Sequence, residues 1–388
     1  MIINSLLDQD FYKLNMMQAV LHQCPSAYVR YAFKCRNKII DFRPVIDDIN
    51  SEIDHLCTLK FQQGELYYLK SIRFLKPDFV DFLRLFQLNR EHIKCSTSDS
   101  GELLVSIEGS WLHTILFEVP VLAIINECYF RQFDNVDYCG ANSRLVEKTR
   151  QVSELKSKDF KFVDFGTRRR FSASWQDDVV SSLRFNLPDN FAGTSNVYLA
   201  KKYSLTPIGT MAHEWFQGWQ QLGPRLVDSQ KVALQKWAGE YRGDLGIALS
   251  DIVGMDAFLN DFDMYFAKLF DGCRHDSGCP IEWVNKLIAH YRKMKIDPRT
   301  KTAVFSDGLS VQKAINIFNR FYNDINVSFG IGTNLTNDFP NLDPLQIVIK
   351  MVECQGSPVA KLSDSPGKAM CEDEDFVKYI SSVFGKVV

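Results

Sequence analysis

The sequence predicts an α/β fold in which seven parallel strands, alternating with helices, follow an N-terminal α+β domain. Three observations carry that prediction. Between residues 160 and 335, seven short apolar runs each stop in a cluster of Gly, Ser, Thr, Asp, Arg or His: FKFVDFGTRRR, FAGTSN, PIGTMAHEW, GIALSD, LFDGCRHDSG, TAVFSDGL and VSFGIGTNL. Continuous apolar runs read as strands buried on both faces, the condition of a parallel sheet. Helix-length segments around 143–157, 196–203, 228–240, 281–294 and 310–322 separate the runs, as βαβ units require. The first 135 residues differ: AYVRYAFKCR and ELLVSIEGS alternate apolar and polar positions, as half-buried antiparallel strands do.

Taken in order, SLLDQDFYKLNMMQAVLHQ places Leu6, Leu7, Phe11, Leu14, Met17, Val20 and Leu21 at helical spacing, with Ser5 as its N-cap. Helical stretches around 44–57 and 77–88 lie between the two alternating strands. The strand–tip–helix rhythm then runs to TNDFPNLDP, after which QIVIKMVECQGSPVAKL alternates again and is expected to rejoin the first sheet. The expected division is 1–138 as the α+β domain, 139–337 as the catalytic α/β unit, and 338–388 as a segment returning to the first domain.

A chain of 388 residues with 46% hydrophobic composition can bury a large core and divide into domains. The 45 basic and 47 acidic residues nearly balance, so no strong field invites nucleic acid or an anionic membrane. Ten cysteines form no CxxC pair and sit among apolar neighbours, which reads as reduced thiols in a cytoplasmic protein. The start, MIINSLLDQDFYKL, lacks the pattern of a signal peptide, and no apolar run is expected to span a membrane.

Chemistry is expected at the tips, since barrel sites collect where parallel strands end. His213, in PIGTMAHEW, follows a Gly-Thr turn; a neutral imidazole there can act as a base or accept a phosphoryl group. Arg168, Arg169 and Arg170 follow Phe165 and Gly166. Three such charges open a helix at a cost unless they meet anions. Gly308 (in SDGL) and Gly330, Gly332 and Thr333 (in GIGT) suit a phosphate, because glycines let backbone N–H groups approach it. Asp251 and Asp276 can hold Mg²⁺ through water, bind ribose hydroxyls or cap helices, and Arg274 can neutralise a diphosphate. Cys279 beside His275 does not by itself make a nucleophile. Asp8, Asp10, Tyr12 and Lys13 read only as a polar helix entry.

These residues, together with SLLDQDFYKLNMMQA, GTSN at 193–196, LTPIGTMAHEWFQ and VAKLSDSPGK, give the chain a resemblance to bacterial-type nicotinate phosphoribosyltransferases over essentially its whole length. The resemblance implies a type II phosphoribosyltransferase fold: an N-terminal domain packed on an irregular seven-stranded α/β barrel, working as a homodimer with shared sites. It implies transfer of ribose 5-phosphate from phosphoribosyl pyrophosphate to nicotinate, coupled to ATP hydrolysis through a transient phosphohistidine at His213, with Mg²⁺ as cofactor. Phe165 and Tyr12 would sandwich the pyridine ring, Tyr12 coming from the partner subunit, and Arg168 would face the base carboxylate. Thr194 and Ser195 would border the base, and Ser195 replaces the aspartate of nicotinamide-specific relatives. Arg274 and Asp276 would meet ribose and diphosphate, with Asp251 beside them. Gly308, Gly330, Gly332 and Thr333 would cradle the 5′-phosphate, and Lys361 and Lys368 are further phosphate contacts. Where the family reads DSGD, this chain has Asp276-Ser277-Gly278-Cys279, one acid fewer.

Rival readings are a sugar-phosphate aldolase or isomerase barrel, a transferase for nicotinamide or quinolinate, and a binding module. An aldolase would want a Schiff-base lysine, and no tip carries one.

Overall fold

The computed structural model describes residues 1–37, 40–365 and 370–386. Two sheets organise them. The first contains strands β1 (Tyr28–Cys35), β2 (Ile93–Thr97) and β3 (Leu103–Ser110) with the late strands β10 (Ile347–Cys354) and β11 (Ser357–Pro358), in the order β11-β10-β1-β3-β2. All its pairs are antiparallel, and β10 lies directly against β1, with Phe33 opposite Ile349. Strand β2 was not foreseen; it is short, and only Ile93 among its residues is buried.

The second sheet is parallel: β4 (Lys161–Asp164), β5 (Phe191–Thr194), β6 (Ile247–Leu249), β7 (Gly272–His275), β8 (Thr302–Phe305) and β9 (Asn326–Ile331), ordered β5-β4-β9-β8-β7-β6. Among the described residues it has six regular strands, not the seven expected. The run LTPIGT is the exception. Pro207 has no N–H to give a ladder, and the segment makes a single parallel bridge, Thr194 to Pro207. It nevertheless touches both sheet edges: Ile208 N–H donates to Thr194 O at 3.0 Å, and Thr210 Oγ1 donates to Ile247 O at 3.0 Å. Phenylalanines fill the sheet's interior, with Phe160, Phe305 and Phe329 fully buried and Phe329 stacked on both others.

The opening helix spans Phe11–Gln23 and starts five residues later than Ser5 as N-cap suggested. Tertiary pairing displaces its start. Residues 7–11 run along the GTSN tip, where Phe11 N–H donates to Ser195 O, Val197 N–H to Gln9 O and Tyr198 N–H to Leu7 O. Ser5 instead donates to Glu65 and accepts from Leu7 N–H. The helix behind this tip is buried through nearly its whole first three turns, so its charged members need internal partners.

One stretch, Trp111–Phe130, is 20 residues long and apolar enough to cross a membrane by length and composition, contrary to the sequence expectation. Its apolar window is 94% buried inside the fold, and its two helical pieces, Trp111–Thr114 and Glu118–Phe130, pack against the first sheet. The helix His213–Leu222 is anchored between the sheets: Trp215 packs on Trp111 and Trp237, and Gln217 Nε2 donates to Met351 O at 3.0 Å. None of the ten cysteines is bridged.

Candidate active site

A cavity of about 570 Å³ opens over the C-terminal ends of the parallel strands, closed on its far side by the first sheet. Of the residues singled out in the sequence, Tyr12, Phe165, Arg168, Ser195, His213, Arg274, Asp276, Gly308, Gly332, Thr333 and Lys361 line it. Thr194, Asp251 and Gly330 do not, and Lys368 lies outside the described residues.

Each of the three absentees has a task one layer back. Thr194 Oγ1 donates to Asp164 Oδ2 at 2.8 Å and stiffens the tip of β4. Gly330 makes room for Phe165: a Cβ there would lie 2.2 Å from Phe165 Cδ2, so the glycine seats the ring. Gly330→Ala is therefore expected to tilt Phe165 out of place. The KM of a substrate packed on that ring should rise about tenfold or more, with a stability loss of about 1–3 kcal/mol from overpacking; steady-state kinetics and thermal unfolding check both.

Asp251 orients His213. Its Oδ1 lies 2.8 Å from His213 Nε2, while Oδ2 accepts from Ser277 Oγ at 2.6 Å and pairs with Lys361 Nζ at 2.8 Å. Although burial opposes ionisation, Lys361 and His213 hold Asp251 well below the usual carboxylate range. Burial, then the Lys361 ammonium, push His213 down to about 4 against the pull of Asp251. A neutral imidazole facing an ionised carboxylate places its proton on Nε2. Nδ1 is left with a free lone pair at the first residue of a helix.

His213, Asp251 and Asp276 bring three ligand atoms within 4.8 Å of one another. Asp251 already meets three donors, from His213, Ser277 and Lys361. Asp276 accepts from Ser306 Oγ at 2.8 Å and turns its other oxygen to the cavity, 3.5 Å from His213 and 3.8 Å from Lys361. Despite burial, Lys361 and His213 hold it at about 2. Cys279 is exposed at the start of the helix Pro280–Lys293 and takes no part in the cavity.

The three consecutive arginines separate. Arg170, fully buried, makes a two-pronged bond with Asp8, both arms 2.7 Å, and is a strut. Arg168 and Arg169 line the cavity. Burial, with Arg168 and Arg36 nearby, pushes Arg169 down to about 10. Arg274 also faces the cavity, and its buried Nε has no hydrogen-bond partner among the described residues.

Tyr12 lines the cavity from the same chain as Phe165. Gly209 permits this approach, since a Cβ there would lie 2.8 Å from Tyr12 N. Burial raises the Tyr12 phenol well above its ordinary value, keeping it neutral.

Several wall residues escaped the sequence reading: Asp10, Arg36, Glu118, Glu214 and Lys350. Beneath them Lys13 is wholly buried, its Nζ 2.6 Å from Glu118 and 2.7 Å from Glu214. Glu118 also meets Arg168 at 3.4 Å and Lys350 at 3.8 Å. The available signal was a charge inside an apolar run, as in FEVPVL and IVIKMV.

Two family models match the chain: the nicotinate phosphoribosyltransferase (NAPRTase) family over residues 160–387, and its N-terminal domain over residues 7–126. The chain is 56% identical over 387 residues to a nicotinate phosphoribosyltransferase of Xanthomonas axonopodis pv. citri (strain 306), covering 99% of this chain and 98% of the relative. It is likewise 56% identical over 389 residues to one from Burkholderia ambifaria (strain MC40-6), covering 99% and 97%. Among solved structures, a nicotinate phosphoribosyltransferase from Vibrio cholerae superposes with a TM-score of 0.95 at 42% identity, covering 100% of this chain and 95% of that one. Another from Porphyromonas gingivalis gives 0.94 at 34% identity, covering 99% and 100%.

Proposed function

From the premise that this chain belongs to the nicotinate phosphoribosyltransferase family, we propose the division of labour by which its cavity carries out the reaction. The enzyme joins nicotinate to the ribose 5-phosphate of phosphoribosyl pyrophosphate, releasing pyrophosphate. Tyr12 and Phe165 stack on the pyridine ring from opposite sides, and Arg168 takes its carboxylate. Arg274 and Asp276 meet the ribose and diphosphate, while Gly308, Gly332 and Thr333 receive the 5′-phosphate. Arg36, Arg169 and Lys350 add positive charge to the same space.

As pyrophosphate departs, positive charge grows on ribose C1 and the pyridine nitrogen attacks from the opposite face. Fixed charges around a buried centre are the means of lowering that barrier. Mg²⁺ fits here as an ion held largely by substrate phosphates, with Asp276 as the carboxylate facing the cavity; it would neutralise the leaving diphosphate.

His213 is the acceptor of a phosphoryl group from ATP. The observation that carries this reading is the Nε2 bond to Asp251, which leaves Nδ1 free as nucleophile. The lone pair on Nδ1 attacks the terminal phosphorus, ADP leaves, and hydrolysis later returns phosphate and the free imidazole. Lys361 and the helix N-terminus stand ready for the added negative charge.

At the level of the whole chain, the parallel sheet is read as a seven-stranded barrel closed by residues 205–210. The domains are read as 1–138, 139–337 and 338–388, the location as the cytoplasm, and the assembly as a homodimer. Sedimentation checks the last. A pyrophosphate-release assay with phosphoribosyl pyrophosphate and nicotinate, nicotinamide or quinolinate, each with and without ATP, tests the reaction. Release with nicotinate, stimulated by ATP, is expected. Release with nicotinamide alone would overturn the assignment.

A further inference from the structure

The proposed chemistry gives Asp10 no task, yet its carboxyl group stands in the wall of the base pocket, almost wholly buried. Its Oδ1 accepts from Ser195 Oγ at 2.6 Å, and its Oδ2 lies 3.9 Å from Arg168 Nε. The backbone holds this arrangement, since Asp10 forms an antiparallel bridge with Asn196.

Two consequences follow from these contacts. A serine has one hydroxyl proton, and Ser195 spends it on Asp10. Its oxygen then offers only lone pairs to the cavity, which suits an amide N–H and not a carboxylate. Second, a nicotinate carboxylate at Arg168 would be the third on a guanidinium already shared by Glu118 at 3.4 Å and Asp10 at 3.9 Å. Like charges so placed favour protonation of one of them. The cations facing Asp10 are Arg168 and Arg170, and the acids are Glu118 and Asp164, with the Tyr12 phenol and the Thr167 hydroxyl beside them. Glu118 is already held by Lys13 and Lys350, and burial, with the Glu118 charge behind it, raises Asp10 above its ordinary value against the pull of Arg168.

We propose that Asp10 determines which pyridine base the site accepts: it takes one proton from solvent as nicotinate binds, donates it in a hydrogen bond to Ser195 Oγ, and so turns the Ser195 hydroxyl toward the nicotinate carboxylate. No covalent bond changes apart from the O–H that Asp10 gains, and one proton is taken up per nicotinate bound. With Asp10 ionised, the same pair accepts from an amide and favours nicotinamide. This rests on the reading that the nicotinate carboxylate meets Arg168.

The test is the pH profile of kcat/KM for nicotinate, with saturating phosphoribosyl pyrophosphate, in wild type and Asp10→Asn. Wild type is expected to lose tenfold per pH unit wherever Asp10 of the free enzyme is ionised, mostly through KM with kcat nearly constant. The side-chain amide introduced by D10N donates to Ser195 at every pH, so that variant should give a flat profile. Calorimetry of nicotinate binding in buffers of different ionisation enthalpy should show one proton taken up by wild type and none by D10N. A flat wild-type profile, or equal uptake by both proteins, would overturn the proposal. Should D10N fold poorly, Ser195→Ala decides the relay: nicotinate KM should rise while proton uptake persists, and an unchanged KM overturns it. An Arg168→Ala enzyme with unchanged nicotinate KM would instead strike at the placement of the base.

Discussion

A His213→Ala enzyme is expected to form nicotinate mononucleotide at one rate whether or not ATP is present, and to release no ADP. The effect should be complete, because no other cavity residue among those described offers a neutral nucleophile with a carboxylate fixing its tautomer. Burial drives the His213 pKa down to about 4, so the imidazole is the free base throughout the working range. The sign follows directly: protonation would block the lone pair only as pH falls through about 4. ATP-dependent stimulation in the wild type should thus stay flat between about pH 6 and 8 as far as this group is concerned. Measuring ADP and pyrophosphate in the same reaction separates the two halves of the chemistry. Loss of ADP with retained pyrophosphate release is the expected pattern. ATP-stimulated turnover in the variant would remove His213 from the relay.

The second large effect belongs to Lys13→Met. Lys13 has no exposed surface and balances Glu118 and Glu214 at once. Removing one partner of a buried ion pair leaves uncompensated charge and costs about 3–5 kcal/mol, far more than a surface pair would. Glu118 retains Arg168 and Lys350, but Glu214 keeps no other cation at ion-pair distance among the described residues, and its Oε1 already lacks a hydrogen-bond partner there. Burial has already raised the Glu214 carboxyl, so it should protonate in the variant. A calorimetric scan should show a clearly lowered unfolding midpoint. Adding Glu214→Gln to Lys13→Met should recover part of the loss, since a neutral amide needs no counter-ion. No recovery would mean that Lys13 acts through packing alone.

These two residues also mark how far the sequence could be read. His213 was visible because a lone histidine stood at a strand tip after a Gly-Thr turn, and tips of parallel strands converge whatever the rest of the chain does. Six of the seven apolar runs are regular parallel strands for the same reason: a strand buried on both faces has no polar side to show. The seventh failed where Pro207 removed a backbone donor, a local signal that was present in the run itself. Arg168, Arg169 and Arg170 were legible as anion-seekers but not as individuals. Arg170 turned inward to Asp8, a partner 162 positions away.

Lys13 shows the complementary limit. Its charge lies in a helix whose apolar spacing looked ordinary, and its partners, Glu118 and Glu214, come from distant segments. Asp10 and Tyr12 were hidden by a misplaced helix start, because the pairing of residues 7–11 with the GTSN tip is a tertiary event. The sequence by itself determined the alternation of strands and helices, the antiparallel character of the flanking stretches, and the polar groups at each tip. Those properties depend on neighbours within a few residues. Only the tertiary structure decided that Tyr12 and Phe165, 153 positions apart, line one cavity. It also decided that Asp251 stands behind His213 while Asp276 faces the cavity, and that Asp10 holds the proton of Ser195. Each depends on segments far apart in sequence meeting at distances of a few ångström, which no local pattern encodes.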